Sequence, residues 1–275
     1  PGVMGEDARQ YIEAGISTDH ECYTKGEALD KLRYGMNIII REGSAAKNFE
    51  ALIELLDEFP EKIMFCSDDK HPDDLVRGHI DQLLARAVGH GIDAMKAIKA
   101  ATYNPVKHYG LDCGLLQEGD PADFITVKDL REFEVEATYI QGQQVAKDGE
   151  TRISSGDTTP INHFRHKSIS GSDIAVKART NWVQAIKPSD GSLVTQGEKS
   201  QIRKEKGYAY SNVKEDVLKL AVVNRYQTSA KPTVGFIKHF GLQEGAIASS
   251  VAHDSHNVLV VGVEDEAIVK AANLV

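Results

Sequence analysis

Cysteine is scarce in this sequence and follows no metal-binding or disulfide pattern. The three cysteines, Cys22, Cys66 and Cys113, are widely spaced and form no Cys-x-x-Cys motif. Neither a disulfide framework nor a thiolate zinc site is therefore indicated, because both need cysteines in pairs or clusters. An odd number of unpaired thiols favours a reducing cytoplasm as the location.

Long apolar runs and an excess of basic charge are also missing. No stretch approaches the length of a membrane span, and no signal peptide is visible. With 32 basic and 41 acidic residues, the net charge is −9, and no block of Lys and Arg is sustained. We therefore expect neither a membrane nor a nucleic acid as partner. The chain starts at Pro1 without an initiator Met, which would suit a fragment.

What the sequence does contain is enough apolar material for more than one folded unit. At 275 residues and 41% hydrophobic content, the chain can bury a sizeable core, and its length favours two domains. Strand and helix patterns alternate over roughly the first hundred residues, as in βα units around a parallel sheet. From Gly114 the pattern changes to β segments, and a polar stretch from Thr151 to about Gly207 predicts loops and short strands.

Helices and strands can be placed from the spacing of apolar residues. Helices are predicted at about 8–14, 24–34, 46–58, 213–227 and 264–274, with Thr24 as the cap of the second. Another is predicted from Pro72 through Leu84; the pattern breaks at Gly89-His90-Gly91, and a further helix then runs to about 102. Tyr103-Asn104-Pro105 is predicted to close the first part. Later strands are predicted at 123–127, 133–140 and 258–263, with tight turns at Gln141-Gly142 and Asp148-Gly149.

Three strands of the first part, predicted at 15–18, 36–40 and 62–66, each end in a polar cluster. These clusters are Asp19-His20-Glu21, Arg41-Glu42-Gly43-Ser44 and Ser67-Asp68-Asp69. Because parallel strands end at the same edge of a sheet, the clusters are expected to share one rim, where α/β barrels carry their chemistry. An acidic side chain there can bind a metal or carry a proton.

Each candidate has a purely structural alternative. Asp68 and Asp69 could merely cap the helix that follows, and His20 could be a buried histidine whose nitrogens bond the backbone. His71 could be a loop residue held extended because a proline follows it. Glu42 could simply form a solvated ion pair with the arginine beside it.

Several segments, taken in order, resemble the adenine deaminases, a family within the amidohydrolase superfamily. The resemblance is carried by Gly15–Glu21, Ile40–Asn48, Cys66–Leu75, Gly119–Phe124 and Ser249–Asn257. The Gly119 segment is shared widely among amidohydrolases, whereas the three rim segments followed by the Ser249 segment are specific. Together they extend over nearly the whole chain.

The resemblance implies an α/β protein built on part of a (β/α)₈ barrel. Its last strands would occupy 1–112, a composite β segment of sandwich type 113–152, and a C-terminal α/β domain 153–275. In that family, metal ligands come from a His-x-His pair on the first strand, groups on middle strands, a histidine on the sixth and an aspartate on the eighth. His20 matches the sixth-strand ligand and Asp68 the eighth. The missing strands and ligands would come from remaining parts of the same protein.

The implied reaction is hydrolytic deamination of adenine to hypoxanthine and ammonia, in purine salvage. A divalent metal, with Mn or Fe favoured over Zn, would lower the pKa of a bound water, and Asp68 would accept the proton and pass it to the leaving ammonia. Asp69 would hydrogen-bond the purine, and Glu42 and His71 would line the pocket. A further contribution is expected from the loop residues His253, Asp254 and His256.

Other interpretations remain open at this stage. The barrel could act on another cyclic amide or amine, since pocket loops set the substrate, or the chain could be a catalytically incomplete fragment in an assembly. Asn224-Arg225-Tyr226 stands where many relatives carry Glu-Arg-His, so the role of that histidine is in doubt here. The expected partners are a small purine base and a second copy of the protein, a homo-oligomer being the common default. His163 and His166 are expected to be structural or interface residues.

Overall fold

The protein is described from a computed structural model. The described residues are 1–156, 159, 160, 164, 165, 167–190 and 192–275, so His163 and His166 lie outside them. They fall into two compact units, Pro1–Gly156 and Asp157–Val275. The division at 1–112, 113–152 and 153–275 stays a prediction.

The first unit begins with alternating helices and short strands. In chain order these are α1 (Gly5–Glu13), β1 (Thr18–Asp19), α2 (Lys25–Arg33), β2 (Asn37–Arg41), α3 (Phe49–Leu52), α4 (Leu55–Glu58), β3 (Ile63–Cys66), α5 (Pro72–Leu75), α6 (Ile80–Gly89), α7 (Ala94–Ala101) and α8 (Tyr103–Tyr109). The strands form a parallel sheet in the order β1-β2-β3. The predicted α/β class is thereby confirmed.

The parallel sheet is buried because its strands are apolar on both faces. In β2, Ile38, Ile39 and Ile40 are all buried, and the Ile38 register partner on β3 is Ile63. Such continuous apolar runs are typical of parallel strands covered on both sides. The sheet therefore presents its carboxyl edge as one rim carrying the segments that follow β1, β2 and β3.

The helices agree with the sequence patterns in kind but not always in extent. Thr24 caps α2, its hydroxyl accepting the N–H of Glu27 at 3.2 Å, as predicted. The predicted helix at 46–58 is divided into α3 and α4, and the helix predicted from Pro72 onward is interrupted between α5 and α6, where Gly78 has φ +153°. The segment at Tyr103 is itself helical; its proline lies in the first turn, where no helical N–H is required.

A small antiparallel sheet completes the first unit. Its strands are β4 (Phe124–Val127), β5 (Val135–Ile140), β6 (Gln143–Lys147) and β7 (Glu150–Thr151), paired in that order. The turns at Gln141-Gly142 and Asp148-Gly149 have positive φ at both residues, 49° and 75° in the first and 50° and 81° in the second. Two-residue hairpin turns of type I′ require this, so the predicted strands and turns are confirmed.

The second unit is built around a six-stranded sheet with order β10-β9-β14-β13-β16-β15, beside a three-stranded sheet with order β11-β12-β8. Its elements are β8 (Val176–Lys177), β9 (Trp182–Ser189), β10 (Ser192–Gln201), β11 (Arg203–Glu205), β12 (Tyr208–Tyr210), β13 (Val217–Val223), β14 (Thr233–Lys238), β15 (Ala246–Ser249), β16 (Val258–Gly262) and α9 (Asp265–Leu274). The predicted strand at 258 and the final helix are confirmed.

The helix predicted over Val213–Gln227 is wrong, because this segment holds the central strand β13. β13 pairs with β14 on one side and β16 on the other, and nearly all of its side chains are buried. An apolar run buried on both faces has neither a period of two nor one of 3.6, so periodicity cannot distinguish strand from helix. Across the described part of the chain, none of the helices has the length and apolar character needed to cross a bilayer.

Candidate metal site

His20 and Asp68 meet at the carboxyl edge of the parallel sheet. His20 follows β1 and Asp68 follows β3, and the distance from His20 Nε2 to Asp68 Oδ1 is 3.8 Å. This is too long for a direct hydrogen bond. Two ligand atoms that are each about 2.1 Å from one ion lie roughly 3 to 3.5 Å apart, so the separation is close to what a shared ion needs. Both side chains are partly exposed, at 44% and 31%.

Arg41, the last residue of β2, holds the other oxygen of Asp68. One guanidinium nitrogen lies 2.7 Å from Asp68 Oδ2 and another lies 2.9 Å from Glu21 Oε1. Burial by itself lowers the pKa of Arg41, but the neighbouring Tyr23 and the carboxylates of Glu21 and Asp68 outweigh burial and raise it. Two carboxylates and one permanent cation leave a net charge of about −1, which favours binding a cation.

The idea that Asp68 and Asp69 only cap the next helix is wrong. α5 begins at Pro72 with His71 as the capping residue, and no side chain caps it. The Asp68 carboxylate contacts Arg41 instead. Asp68 itself has φ 46°, in the left-handed region.

Asp69 points into the loop that follows β2. Its Oδ2 accepts the N–H of Ala45 at 3.1 Å, while its Oδ1 is buried and has no hydrogen-bond partner among the described residues. Gly43 is needed beside it, since a Cβ at that position would overlap the Asp69 carboxylate. Asp69 thus joins the rim segments after β2 and β3 and retains one unused acceptor.

Glu42 and its neighbour Arg41 have different partners. Glu42 Oε2 lies 2.6 Å from Arg86 on α6, and its Oε1 accepts the N–H of Phe49 at 3.4 Å. Arg41 binds Glu21 and Asp68, and Glu42 binds Arg86, so the solvated Arg41–Glu42 pair considered from the sequence is not found among the described residues. Glu42 and Arg86 both line a cavity of about 300 Å³ beside the rim.

His71 lies in the same loop region as Asp69. Its backbone N–H donates to Ser44 Oγ at 2.9 Å, and Ser44 in turn donates to the carboxylate of Asp74. His71 has φ −73° and ψ 156°, the extended conformation expected before a proline. The structure therefore brings His71 next to the segment after β2.

A second, buried polar cluster surrounds Lys31 on α2. The ammonium of Lys31 contacts Asp19, Glu27 Oε1 at 2.8 Å and Cys22 Sγ at 3.6 Å. The carboxylates of Asp19 and Glu27 and the thiol of Cys22 have the spacing of metal ligands, but the Lys31 ammonium already contacts all three. Burial, with Asp19 nearby, raises the pKa of Cys22 to about 12, and burial likewise raises that of Cys66 to about 12, so both thiols are protonated at neutral pH.

The chain is similar to known proteins in both of its parts. The model of the amidohydrolase family matches residues 6–145. The chain belongs to the amidohydrolase family. A model of the adenine deaminase C-terminal domain matches residues 192–275, so the resemblance found in the sequence is confirmed in both parts of the chain.

Relatives of this amidohydrolase are similar along its whole length. Adenine deaminase of Salinibacter ruber is 50% identical over 275 residues, and that of Sulfurovum sp. is 48% identical; each match takes in 100% of this chain and 50% of the relative. Adenine deaminase of Methanosarcina barkeri is 48% identical over 99% of this chain and 51% of its own. The chain thus spans about half the length of the curated relatives it matches. Among solved structures, a beta-aspartyl dipeptidase of Fervidobacterium islandicum is 19% identical, with a TM-score of 0.44 over 55% of this chain and 46% of its own, which is too low to support a structural conclusion.

The remaining predicted residues lie in the second unit, within the segment matched by the C-terminal domain model. His253, Asp254 and His256 occupy the loop between β15 and β16, and the two imidazole rings are 5.8 Å apart in an edge arrangement. The Tyr226 hydroxyl donates to the Ser255 carbonyl at 2.9 Å, so the tyrosine that replaces the expected histidine supports this loop. The further contribution expected from this loop stays a prediction.

The sequence placed Glu21 and Arg41 in the rim clusters without assigning their contacts to the proposed ligands, and it missed Asn48. Glu21 and Arg41 contact the His20 and Asp68 side chains, and Asn48 lies directly behind them. All three fall inside the segments that carried the family resemblance. The family resemblance therefore pointed to the segments that contain these residues. It could not show which neighbour each side chain contacts, because that depends on how three separate loops meet.

Proposed function

We propose that this chain forms part of a metal-dependent enzyme that converts adenine to hypoxanthine and ammonia. The observation that carries the proposal is the 3.8 Å approach of His20 Nε2 to Asp68 Oδ1 at the rim of a parallel sheet. It is supported by the family matches and by relatives named adenine deaminase at 48–50% identity. Location in the cytoplasm, purine salvage and assembly as a homo-oligomer belong to the same proposal.

The sheet β1-β2-β3 and its helices are proposed to be the last strands of a (β/α)₈ barrel. Two features support this: the strands are parallel with helices between them, and the chain spans about half the length of its relatives. The other half of the longer protein would then supply the remaining strands and metal ligands. In the same scheme, residues 113–152 are the β segment and 153–275 the C-terminal domain.

The proposed metal is held in this chain by His20 and Asp68. An imidazole nitrogen and a carboxylate oxygen face each other, and together with the residual negative charge this donor set suits a divalent ion such as Mn or Fe. When bound, the ion supplies the Lewis acidity that makes water a nucleophile at neutral pH.

Asp68 is proposed to move the proton. Arg41 binds its Oδ2, which leaves Oδ1 on the side of His20, where the water would be deprotonated. The carboxylate accepts the proton of the attacking water and then gives it to the departing amino group, as a general acid–base catalyst does.

Asp69, Glu42 and His71 are proposed to shape the purine pocket. Asp69 Oδ1 is an acceptor without a partner among the described residues, and we assign it to an N–H of the purine ring, which would displace the Gly43 segment that now covers it. Glu42 acts indirectly, because both of its oxygens are engaged with Arg86 and the backbone of Phe49. His71, held beside Ser44, lies at the edge of the same loop region.

The test offers the longer protein, loaded with Mn²⁺ or Fe²⁺, either adenine or a set of cyclic amides. We expect ammonia release from adenine and no ring opening of the cyclic amides. Hydrolysis of a cyclic amide in place of adenine would assign the site to another amidohydrolase reaction. Failure to turn over either class, with metal bound, would contradict the proposed reaction.

A further inference from the structure

Asn48 links the ends of two strands behind the candidate metal site. The residue is 5% exposed and stands just before α3. Its Oδ1 accepts the backbone N–H of Arg41 at 2.8 Å, while its Nδ2 donates to the backbone carbonyls of His20 at 3.2 Å and Cys22 at 3.1 Å. The amide thus uses both donors and an acceptor in a place that water does not reach.

These bonds form one continuous path between the two proposed ligands. The path runs from the His20 backbone to Asn48, then to the Arg41 backbone, and through the Arg41 guanidinium to Asp68 at 2.7 Å. β1 consists of only Thr18 and Asp19, so the sheet itself holds the segment of His20 by few ladder bonds. The His20 side chain is 44% exposed, so neighbouring groups restrain it little. A small shift of its backbone segment would therefore move the imidazole relative to Asp68.

We propose that Asn48 is a positioning residue, which acts through the backbone of His20 and Arg41 to set the distance between His20 Nε2 and Asp68 Oδ1. The proposal rests on the metal-dependent function proposed above and deepens it. Buried groups that orient ligands without touching the ion commonly change metal affinity 10- to 100-fold when removed. A purely structural asparagine would change stability alone.

The chain offers a matched control in Asn104. Asn104 is also 5% exposed, and its Nδ2 donates to two backbone carbonyls, of Pro60 at 2.7 Å and Ile63 at 2.8 Å. These carbonyls lie at the amino end of β3, at the edge of the sheet opposite to Asp68. Asn104 therefore reproduces the burial and donated bonds of Asn48 without a link to the site.

The experiment uses the longer protein with Asn48→Ala, Asn48→Asp and Asn104→Ala. Asn48→Asp keeps the shape and the acceptor for the Arg41 N–H, but it loses both donated bonds. Thermal unfolding of the apoprotein gives the Tm of each variant. Calorimetric titration with Mn²⁺ alone, at a temperature well below the lowest Tm, gives the dissociation constant of each. We expect comparable losses of Tm in all three, and a dissociation constant for Mn²⁺ raised about 10- to 100-fold only in the two Asn48 variants.

The outcomes separate the two proposals. Equal Mn²⁺ affinity in folded Asn48 and Asn104 variants would overturn the positioning role, as would failure of both Asn48 variants to fold while Asn104→Ala folds. If the unaltered protein binds Mn²⁺ but does not release ammonia from adenine, the proposed reaction is wrong, whereas the Asn48 effect on Mn²⁺ affinity is still measured. If it binds no Mn²⁺, both proposals fail.

Discussion

Asp68 combines an uncommon backbone conformation with a carboxylate that has two neighbours. Its φ of 46° lies in the left-handed region, which costs most L-residues about 1 kcal/mol but is tolerated by Asp and Asn. Its Oδ2 binds Arg41 and its Oδ1 lies 3.8 Å from His20 Nε2. Asparagine is therefore the replacement that tests the carboxylate with least disturbance of the backbone.

We expect Asp68→Asn in the longer protein to lower kcat for adenine by about 10²- to 10⁴-fold, the usual contribution of a general acid–base group. The amide cannot accept the proton of the attacking water, although it keeps the backbone conformation. Ammonia release measures the rate, and circular dichroism checks that the fold is retained.

Asp57→Asn is the control for this change. Asp57 forms an exposed ion pair with Lys96 at 2.8 Å, with 52% of its side chain exposed. Its replacement should leave kcat unchanged within about twofold, since exposed pairs contribute little. If Asp68→Asn retains most of the wild-type rate, Asp68 has no part in the proton transfer.

At this scale the sequence located the proposed ligands but not their neighbours. His20 and Asp68 could be placed at one rim because each follows an apolar strand. That Arg41 bridges Glu21 and Asp68, or that Lys31 lies between Asp19 and Glu27, could not be foreseen, because adjacent charged residues on a strand end can turn toward several partners.

At the scale of elements, β13 shows how a buried charge joins a strand to a helix. Lys219 lies on this central strand with no exposed side-chain surface, and its ammonium is 2.6 Å from Asp265 Oδ1 at the start of α9. It also donates to the Ile174 carbonyl at 3.3 Å. A buried ammonium is tolerated because these acceptors replace the water it has lost.

We expect Asp265→Ala to lower the free energy of unfolding of the second unit by about 3 kcal/mol or more, because it leaves the Lys219 ammonium buried without its carboxylate. Urea unfolding followed by the fluorescence of Trp182, the single tryptophan of this chain, measures it. Glu205→Ala removes an exposed pair with Arg203 and should cost less than about 1 kcal/mol. Similar losses in both variants would contradict this account of β13.

The sheet of the second unit also carries an ion pair with a predictable pH dependence. Glu198 on β10 lies 2.8 Å from Lys187 on β9 and 2.7 Å from Lys238 on β14. Hydrogen bonds from these two ammonium groups lower the pKa of Glu198 to about 2. Since the folded pKa is below the unfolded one, the pairing stabilises the fold above the unfolded value and is lost as the pH falls toward 2.

Glu198→Gln should therefore lower Tm at pH 7, and the difference from wild type should shrink as the pH falls from 5 to 3. Thermal unfolding at several pH values, again followed by Trp182 fluorescence, measures the difference. A difference in Tm that stays constant from pH 7 to pH 3 would show that the charge of Glu198 contributes nothing.

Elements could be predicted where one signal was unambiguous. The cap at Thr24 and the glycine turns at Gln141-Gly142 and Asp148-Gly149 were found because each depends on a few local residues. The segment Val217–Val223 was misassigned because it is buried on both faces, and the hairpin of the long strands β9 and β10 was not resolved because it lies in a polar, weakly periodic stretch. Strands of this kind are defined by their neighbours more than by their own pattern.

For the whole molecule, the decisive feature is that the chain spans about half the length of its curated relatives. His20 and Asp68 are the ligands proposed in it, whereas a stable site for a divalent ion in a protein generally has at least three protein ligands. The number of proposed ligands therefore limits how tightly this chain alone can bind a divalent ion.

We expect the 275-residue chain on its own to bind Mn²⁺ far more weakly than the longer protein and to release no ammonia from adenine. Metal content after dialysis and adenine turnover, measured side by side for the two, test this expectation. Stoichiometric Mn²⁺ in the shorter chain would show that its own residues complete a site, and the proposed division of ligands would be wrong.

The sequence by itself determined the α/β class and the rim at the strand ends, because apolar runs and the polar residues that end them are local properties of the chain, and its resemblance to the adenine deaminases singled out the two candidate ligands. Only the tertiary structure decided which charges pair, that Asn48 ties His20 to Arg41, and that Val217–Val223 is a central strand. The physical reason is that hydrogen bonds and ion pairs form between segments whose relative position no single segment specifies.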